Sequence, residues 1–260
     1  MNRSIVCCGL LVWLLATPVA AVEQFSYRVL EQKPLAADSF VQGLQIVDGH
    51  LYLSTGLYGQ SRLLRYRFED GELLDQRHLH PRLFGEGLTV FDDRVFQLTW
   101  RARRMLVYTR QDLSPAAVFT LRGEGWGLTD NGRELIYSDG SHHLHFLDPD
   151  NGRHLRSVAV TQQGRPIAHL NELEWIDGKV WANVWQTDRI VIIDPASGEV
   201  TASVDLSGLL SPADRRRNTD VLNGIARNPA DGGLWVTGKN WPWLYRMELV
   251  PAAAGTVESR

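Results

Sequence analysis

One acid stands between two glycines in Phe84-Gly85-Glu86-Gly87-Leu88-Thr89. The flanking glycines allow unusual backbone angles and close approach of a ligand. Against low-dielectric aromatic walls, a carboxyl there would have a raised pKa and could move protons near neutral pH. The bland alternative is a turn Glu that accepts from backbone amides, and the phrase alone does not choose between them. Glu124, in Gly123-Glu124-Gly125-Trp126-Gly127-Leu128-Thr129, has a similar setting but lies two residues ahead of the equivalent position, so it carries less weight. Lys239 ends an apolar run in Thr237-Gly238-Lys239-Asn240-Trp241-Pro242. Pointed inward it could steady a developing oxyanion; pointed outward it is solvated. His142, His143 and His145 invite a metal reading, but only His143 and His145 share a strand face and spacing fixes no third ligand. No Gly-x-Ser-x-Gly, phosphate loop or dinucleotide fingerprint occurs.

The phrase around Glu86 also organises the chain. Looser echoes sit at Gln42-Gly43-Leu44, Asn171-Glu172-Leu173 and Asn223-Gly224-Ile225. Aligned on Leu44, Leu88, Leu128, Leu173 and Ile225, the units recur at 44, 40, 45 and 52 residues. Units of this length, each a set of short alternating runs split by turn residues, predict an all-β chain. The expected fold is a five-bladed β-propeller with four-stranded antiparallel blades around a central channel. The aligned residue would begin each innermost strand, at the channel rim. Trp100, Trp126 and Trp185 are then expected near inner-strand positions, where converging indoles would form a dry pocket; packing between blades is the ordinary role of any one of them. Trp181 and Trp235, at strand centres, read as core, and Trp241-Pro242-Trp243 is ambiguous. The Gln24 to Leu30 alternation predicts a strand that closes the ring by joining the last blade. Leu210 to Asp220 is the largest insertion, and Pro251 onward reads as a tail.

Residues 1 to 21 read differently. Arg3, the apolar run Ile5 to Ala16 and the small residues Val19-Ala20-Ala21 have the form of an export signal, leaving residues 22 to 260 as a single catalytic domain. Both cysteines, Cys7 and Cys8, fall in that segment, so the mature chain would have no disulfide and no thiol nucleophile. Losing Arg3 takes the formal net charge from −3 to −4. Mild, interspersed acidity argues against nucleic acid as a partner. Arg215-Arg216-Arg217 is the one dense basic run and reads as a solvated loop tip. The expected setting is periplasmic or secreted, as a monomer, with no stable membrane association after cleavage.

Taken together, the phrases resemble the plant and bacterial glutaminyl-peptide cyclotransferases. The resemblance runs from about Phe40 to Tyr245. Its phrases are Phe40-Val41-Gln42-Gly43-Leu44, Ser54-Thr55-Gly56-Leu57-Tyr58-Gly59-Gln60-Ser61, Phe84-Gly85-Glu86-Gly87 and Gln97-Leu98-Thr99-Trp100. Gly123 to Thr129, Leu170-Asn171-Glu172-Leu173-Glu174, Ala182-Asn183-Val184-Trp185-Gln186-Thr187-Asp188, Leu222-Asn223-Gly224-Ile225-Ala226 and Val236-Thr237-Gly238-Lys239 follow in order. The resemblance implies a five-bladed propeller that converts an N-terminal glutamine of a peptide or protein to pyroglutamate, releasing ammonia, with no cofactor and no metal. It implies a pocket of Phe40, Gln42, Phe84, Glu86, Trp100, Trp126, Trp185 and Lys239, with Glu86, Lys239 and Gln42 expected as catalytic and the aromatics as substrate-binding; Asn171 and Gln186, in neighbouring phrases, are expected to bind substrate with them. Departures, such as the His142-His143 turn and the Leu210 to Asp220 loop, lie outside those positions.

Two other classes stay open. A metal-dependent lactonase-like hydrolase would use the same channel, with Glu86, Asn171 and Asn223 as ligands. A non-catalytic propeller would bind such peptides and release them unchanged.

Overall fold

The structure, a computed structural model, describes residues 21–252. The expected export signal lies, but for Ala21, outside the described residues, as does most of the tail. Strand β1 (Glu23–Pro34) comes first. One antiparallel sheet then orders β2 (Val41–Val47), β3 (His50–Thr55), β4 (Arg62–Arg67) and β5 (Leu73–His78). A second takes β6 (Gly85–Phe91), β7 (Arg94–Thr99), β8 (Arg104–Thr109) and β9 (Pro115–Thr120). A third takes β10 (Leu128–Asp130), β11 (Leu135–Ser138), β12 (His143–Leu147) and β13 (His154–Ala159). After a small hairpin of β14 (Thr161–Gln162) and β15 (Arg165–Pro166) come β16 (Leu170–Ile176), β17 (Lys179–Val184), β18 (Arg189–Ile193) and β19 (Val200–Asp205). The last strands are β20 (Leu222–Arg227), β21 (Leu234–Gly238) and β22 (Trp243–Pro251).

Tight turns make these meanders. Asp48-Gly49 and Asp177-Gly178 carry positive φ at both residues, the twist that suits two-residue hairpin loops. Closure is made by β1, which pairs antiparallel with β22 from Phe25↔Pro251 to Pro34↔Trp243. On its other edge β1 pairs parallel with β19 over Glu23 to Phe25. That second pairing, not expected from the sequence, fuses two four-strand meanders into one eight-stranded sheet, β16-β17-β18-β19-β1-β22-β21-β20.

The first strands of the meanders meet one another in a cycle: β2 lies against β6 and β20, β6 against β10, β10 against β16, and β16 against β20. Register bears out the repeat at its anchor. Leu44, Leu88, Leu128, Leu173 and Ile225 each pair with the middle of a second strand (Leu53, Gln97, Tyr137, Ala182 and Val236), and each is buried. Glycines stand just before four of them, and three of these explain how neighbouring first strands come so close. A Cβ on Gly43 would lie 2.5 Å from Leu88 N, on Gly87 2.4 Å from Leu128 N, and on Gly127 1.9 Å from Asn171 O. Apolar clusters fill the spaces between sheets, with Trp235, Tyr52, Tyr137, Phe96 and Phe146 among the largest fully buried side chains. Trp181 and Trp235 are core, as their strand-centre positions implied, and Trp241 is buried as well.

Candidate active site

Where the first strands begin, the two backbones flanking each strand start pin the side chains that face the axis. Gly85 N–H donates to Ser61 Oγ at 3.0 Å and Gly87 N–H to Trp126 O at 2.6 Å. The Glu86 carbonyl accepts from Ser54 Oγ, which in turn accepts from Gln97 Nε2 at 2.7 Å. Glu86 is thus held from both neighbouring sheets. Neither flanking glycine has positive φ, so unusual backbone angles are not what they supply. They let neighbouring backbone come close instead: a Cβ on Gly85 would lie 2.7 Å from Thr55 O.

A cavity of about 360 Å³ opens at this rim, lined by Phe40, Gln42, Phe84, Glu86, Trp100, Trp126, Asn171, Trp185, Gln186 and Lys239, and also by Leu57, Asp220 and Val221. All ten residues singled out in the sequence therefore meet in one place. Trp100 and Trp185 reach it, as expected, from positions near the inner strands. They follow the second strands β7 and β17, not the first strands. In an antiparallel pair the end of the second strand lies beside the start of the first, so both ends reach the same rim.

The aromatic wall is continuous in parts. Phe40 meets Phe84 edge-on at 6.2 Å between centroids, Phe84 meets Trp100 at 5.5 Å, and Trp126 meets Trp185 at 5.5 Å. Such edge-to-face pairs fix ring planes as well as burying area. Within this wall Glu86 is only 4% exposed. Burial pushes its carboxyl well above the usual carboxylate range, the Lys239 ammonium and the Gln42 amide pull it down, and the Glu124 charge pushes it further up. Lys239 is 5% exposed and lies 5.0 Å from the Phe40 ring centroid. Burial lowers its pKa, against the opposing pull of Glu86 and Asp220. Its backbone is tied to the insertion loop, since Lys239 N–H donates to Val221 O and Asp220 N–H to Lys239 O.

Asn171 supplies a different feature. Its backbone carbonyl accepts from Ser138 Oγ at 2.7 Å, but its buried side-chain Oδ1 has no hydrogen-bond partner among the described residues. A buried acceptor left open beside a cavity is one a bound donor would satisfy. Leu57 and Gln186 both line the cavity with positive φ, a conformation costing each roughly 1 kcal/mol.

Leu57, Asp220 and Val221 were not identified from the sequence. Leu57 stood inside a quoted phrase, and Asp220 and Val221 follow a loop whose path sequence spacing does not give. Glu172 was also passed over. It replaces the glycine found at the corresponding place in the other first strands, is fully buried, and accepts from Leu44 N–H at 3.1 Å and Ile225 N–H at 2.8 Å. It bridges β16 to β2 and β20, the strands that carry Gln42 and Asn223. Asn223 itself does not line the cavity; its Nδ2 donates to Val41 O and Gln42 Oε1. The histidines form a separate cluster, with His145 Nε2 on Asp139 at 3.0 Å and Nδ1 on Ser157 at 2.8 Å. Among the described residues no group of three His, Cys, Asp or Glu is arranged to hold a metal ion.

Comparison with known proteins bears on the family and the fold. The chain is 38% identical over 233 residues to an Arabidopsis thaliana glutaminyl-peptide cyclotransferase, covering 87% of this chain and 72% of that one. The crystal structure of Myxococcus xanthus glutaminyl cyclase superposes with a TM-score of 0.82 at 31% identity, over 90% of this chain and all of that chain. The WD40 β-propeller domain of Doa1 shares the fold alone, with a TM-score of 0.50 at 9% identity over 79% of this chain and 62% of that one. The sequence model for glutamine cyclotransferase matches residues 4–249, and the chain belongs to that family.

Proposed function

We propose that this chain cyclises the N-terminal glutamine of peptides and proteins to pyroglutamate, with release of ammonia and without a metal ion, in a five-bladed propeller. Supporting the blade count is the cyclic contact of five first strands. One observation carries the chemistry: a carboxyl of raised pKa and a buried lysine face one aromatic-walled cavity.

Both reactants lie in a single residue of the substrate, so the site's first task is to hold the folded conformer and keep water out. Phe40, Phe84, Trp100, Trp126 and Trp185 fit that task, and Gln42, Asn171 and Gln186 can orient the amide. The neutral α-amine attacks the side-chain carbonyl carbon and a new C–N bond forms. The amine's free pKa is about 7.7 to 8.0, so a weak base suffices. Glu86 accepts the proton that the attacking nitrogen gives up and delivers it to the amide nitrogen, which leaves as ammonia when the old C–N bond breaks. Lys239, with Gln42, steadies the oxygen of the tetrahedral intermediate. The proton taken equals the proton given, so Glu86 returns to its starting state. Export to the periplasm or exterior, a monomeric state and the absence of nucleic-acid and lasting membrane partners belong to the same proposal; among the described residues no helix is long and apolar enough to cross a membrane.

The test is ammonia release from Gln-Gly and from its N-acetylated counterpart, with a chelator present. Release from the free peptide alone is expected, and E86Q is expected to lower kcat by roughly 10²- to 10⁴-fold while still binding substrate. Near-normal turnover in E86Q would overturn the proton-shuttle role.

A further inference from the structure

The aromatic wall falls into two runs. Phe40, Phe84 and Trp100 form one run and Trp126 and Trp185 another. Between the runs stands Glu124. Its Oε2 accepts from Trp100 Nε1 at 2.7 Å and from Trp126 Nε1 at 3.1 Å. Arg101 lies over the Trp100 ring, 4.0 Å from its centroid, with its Nε 3.7 Å from Glu124 Oε1. We propose that Glu124 is a positioning residue of the site: one carboxylate oxygen joins two indoles from neighbouring sheets and fixes the span of the pocket that the glutamine side chain enters. This rests on the cyclase reading above.

The physics favours a shared acceptor. An indole N–H is a donor only, and without Glu124 both would turn toward solvent or lose their bonds. A hydrogen bond to an ionised acceptor is stronger and more directional than one between neutral groups. Trp100 is then fixed on three sides: Phe84 at one edge, Arg101 over the face and Glu124 at the N–H. Trp126 is fixed by Trp185 and Glu124, and by Gly140, where a Cβ would lie 2.6 Å from its ring. Glu124 does not itself line the cavity. It acts through the rings, and through its charge on Glu86.

Two substitutions separate these effects. E124A removes the shared acceptor and with it both bonds. E124Q keeps an amide oxygen that can accept from the indoles but removes the charge. Indole N–H resonances read the bonds independently of turnover, with Trp241 and Trp243, whose indoles donate to Asp220 O and Asp214, as controls of folding. In E124A the Trp100 and Trp126 resonances are expected to move upfield while the controls stay. KM for Gln-Gly is expected to rise roughly tenfold to a hundredfold, with kcat less affected. E124Q is expected to recover most of that KM while moving the acid limb of the kcat/KM profile to lower pH, since a negative neighbour of Glu86 is gone. Unmoved resonances, or moved resonances with KM and the acid limb unchanged, would overturn the positioning role. A wild-type chain that releases no ammonia overturns the cyclase reading and this inference together; an active wild type beside kinetically unaltered variants overturns this inference alone.

Discussion

At the scale of single residues, Glu86 and Lys239 perturb one another across a site too dry for either to be at ease. Each is buried enough to favour its neutral form, and each makes the other's charge cheaper. K239M therefore has two expected consequences. Loss of a donor to the developing oxyanion lowers kcat by roughly 10²- to 10³-fold. Loss of the ammonium also removes a downward pull on Glu86, so the acid limb of the profile moves to higher pH, opposite in direction to E124Q. A pH series of kcat/KM on the two variants checks both signs. That Glu86, Lys239 and Gln42 belong to the cavity was legible in the sequence because each sits in a local phrase. Glu172 was not. Its partners Leu44 and Ile225 are distant along the chain, and no local pattern marks a side chain that crosses an axis to bond two other strands.

Among the strands, the aligned aliphatics were readable because every first strand needs one at the same height. The repeat also put Trp100, Trp126 and Trp185 near the inner strands, where they line the cavity. Trp100 and Trp185 come from the ends of second strands, which antiparallel pairing sets beside the starts of the first. The glycines between strands carry a sharper expectation. Gly127 approaches Asn171 so closely that any side chain must separate β10 from β16. G127A is expected to cost about 3 kcal/mol or more of stability, beyond ordinary overpacking because the obstacle is backbone. It should also displace Asn171 from the cavity. Thermal melts with substrate-binding measurements test this; a variant as stable as wild type would mean the strands can part without loss.

Across the whole molecule, the interior holds several acids that titrate out of their usual range. Burial lifts Glu86 and Glu172 well above it, and Glu174 from 4.5 to about 8. For Glu174 the folded chain keeps a proton that the unfolded chain has released between about pH 4.5 and about 8, so folding stability falls as pH rises through that window. The opposite sign applies to Asp139, held down to about 2 by its hydrogen bonds with His145 and Ser141 against the upward push of burial; its contribution is present above 3.8 and lost as pH falls toward 2. From these groups maximum stability is accordingly expected at about pH 4, between the two windows. E174Q should flatten the decline in melting temperature between pH 5 and pH 8; an unchanged decline would assign it to other groups.

The pairing of β1 with β22 and β19 also has a temporal meaning. β1 precedes all the other described strands, yet its long pairing forms only once β22 has been made. During synthesis the sheets of β2 to β5 and β6 to β9 can assemble in turn, while β1 waits with its edge unpaired. Long-range pairings of this kind slow folding and leave adhesive edges exposed meanwhile. Until β22 is made, a nascent chain of this protein therefore keeps an edge of β1 open, and agents that delay that pairing should yield aggregates rather than a partly active enzyme.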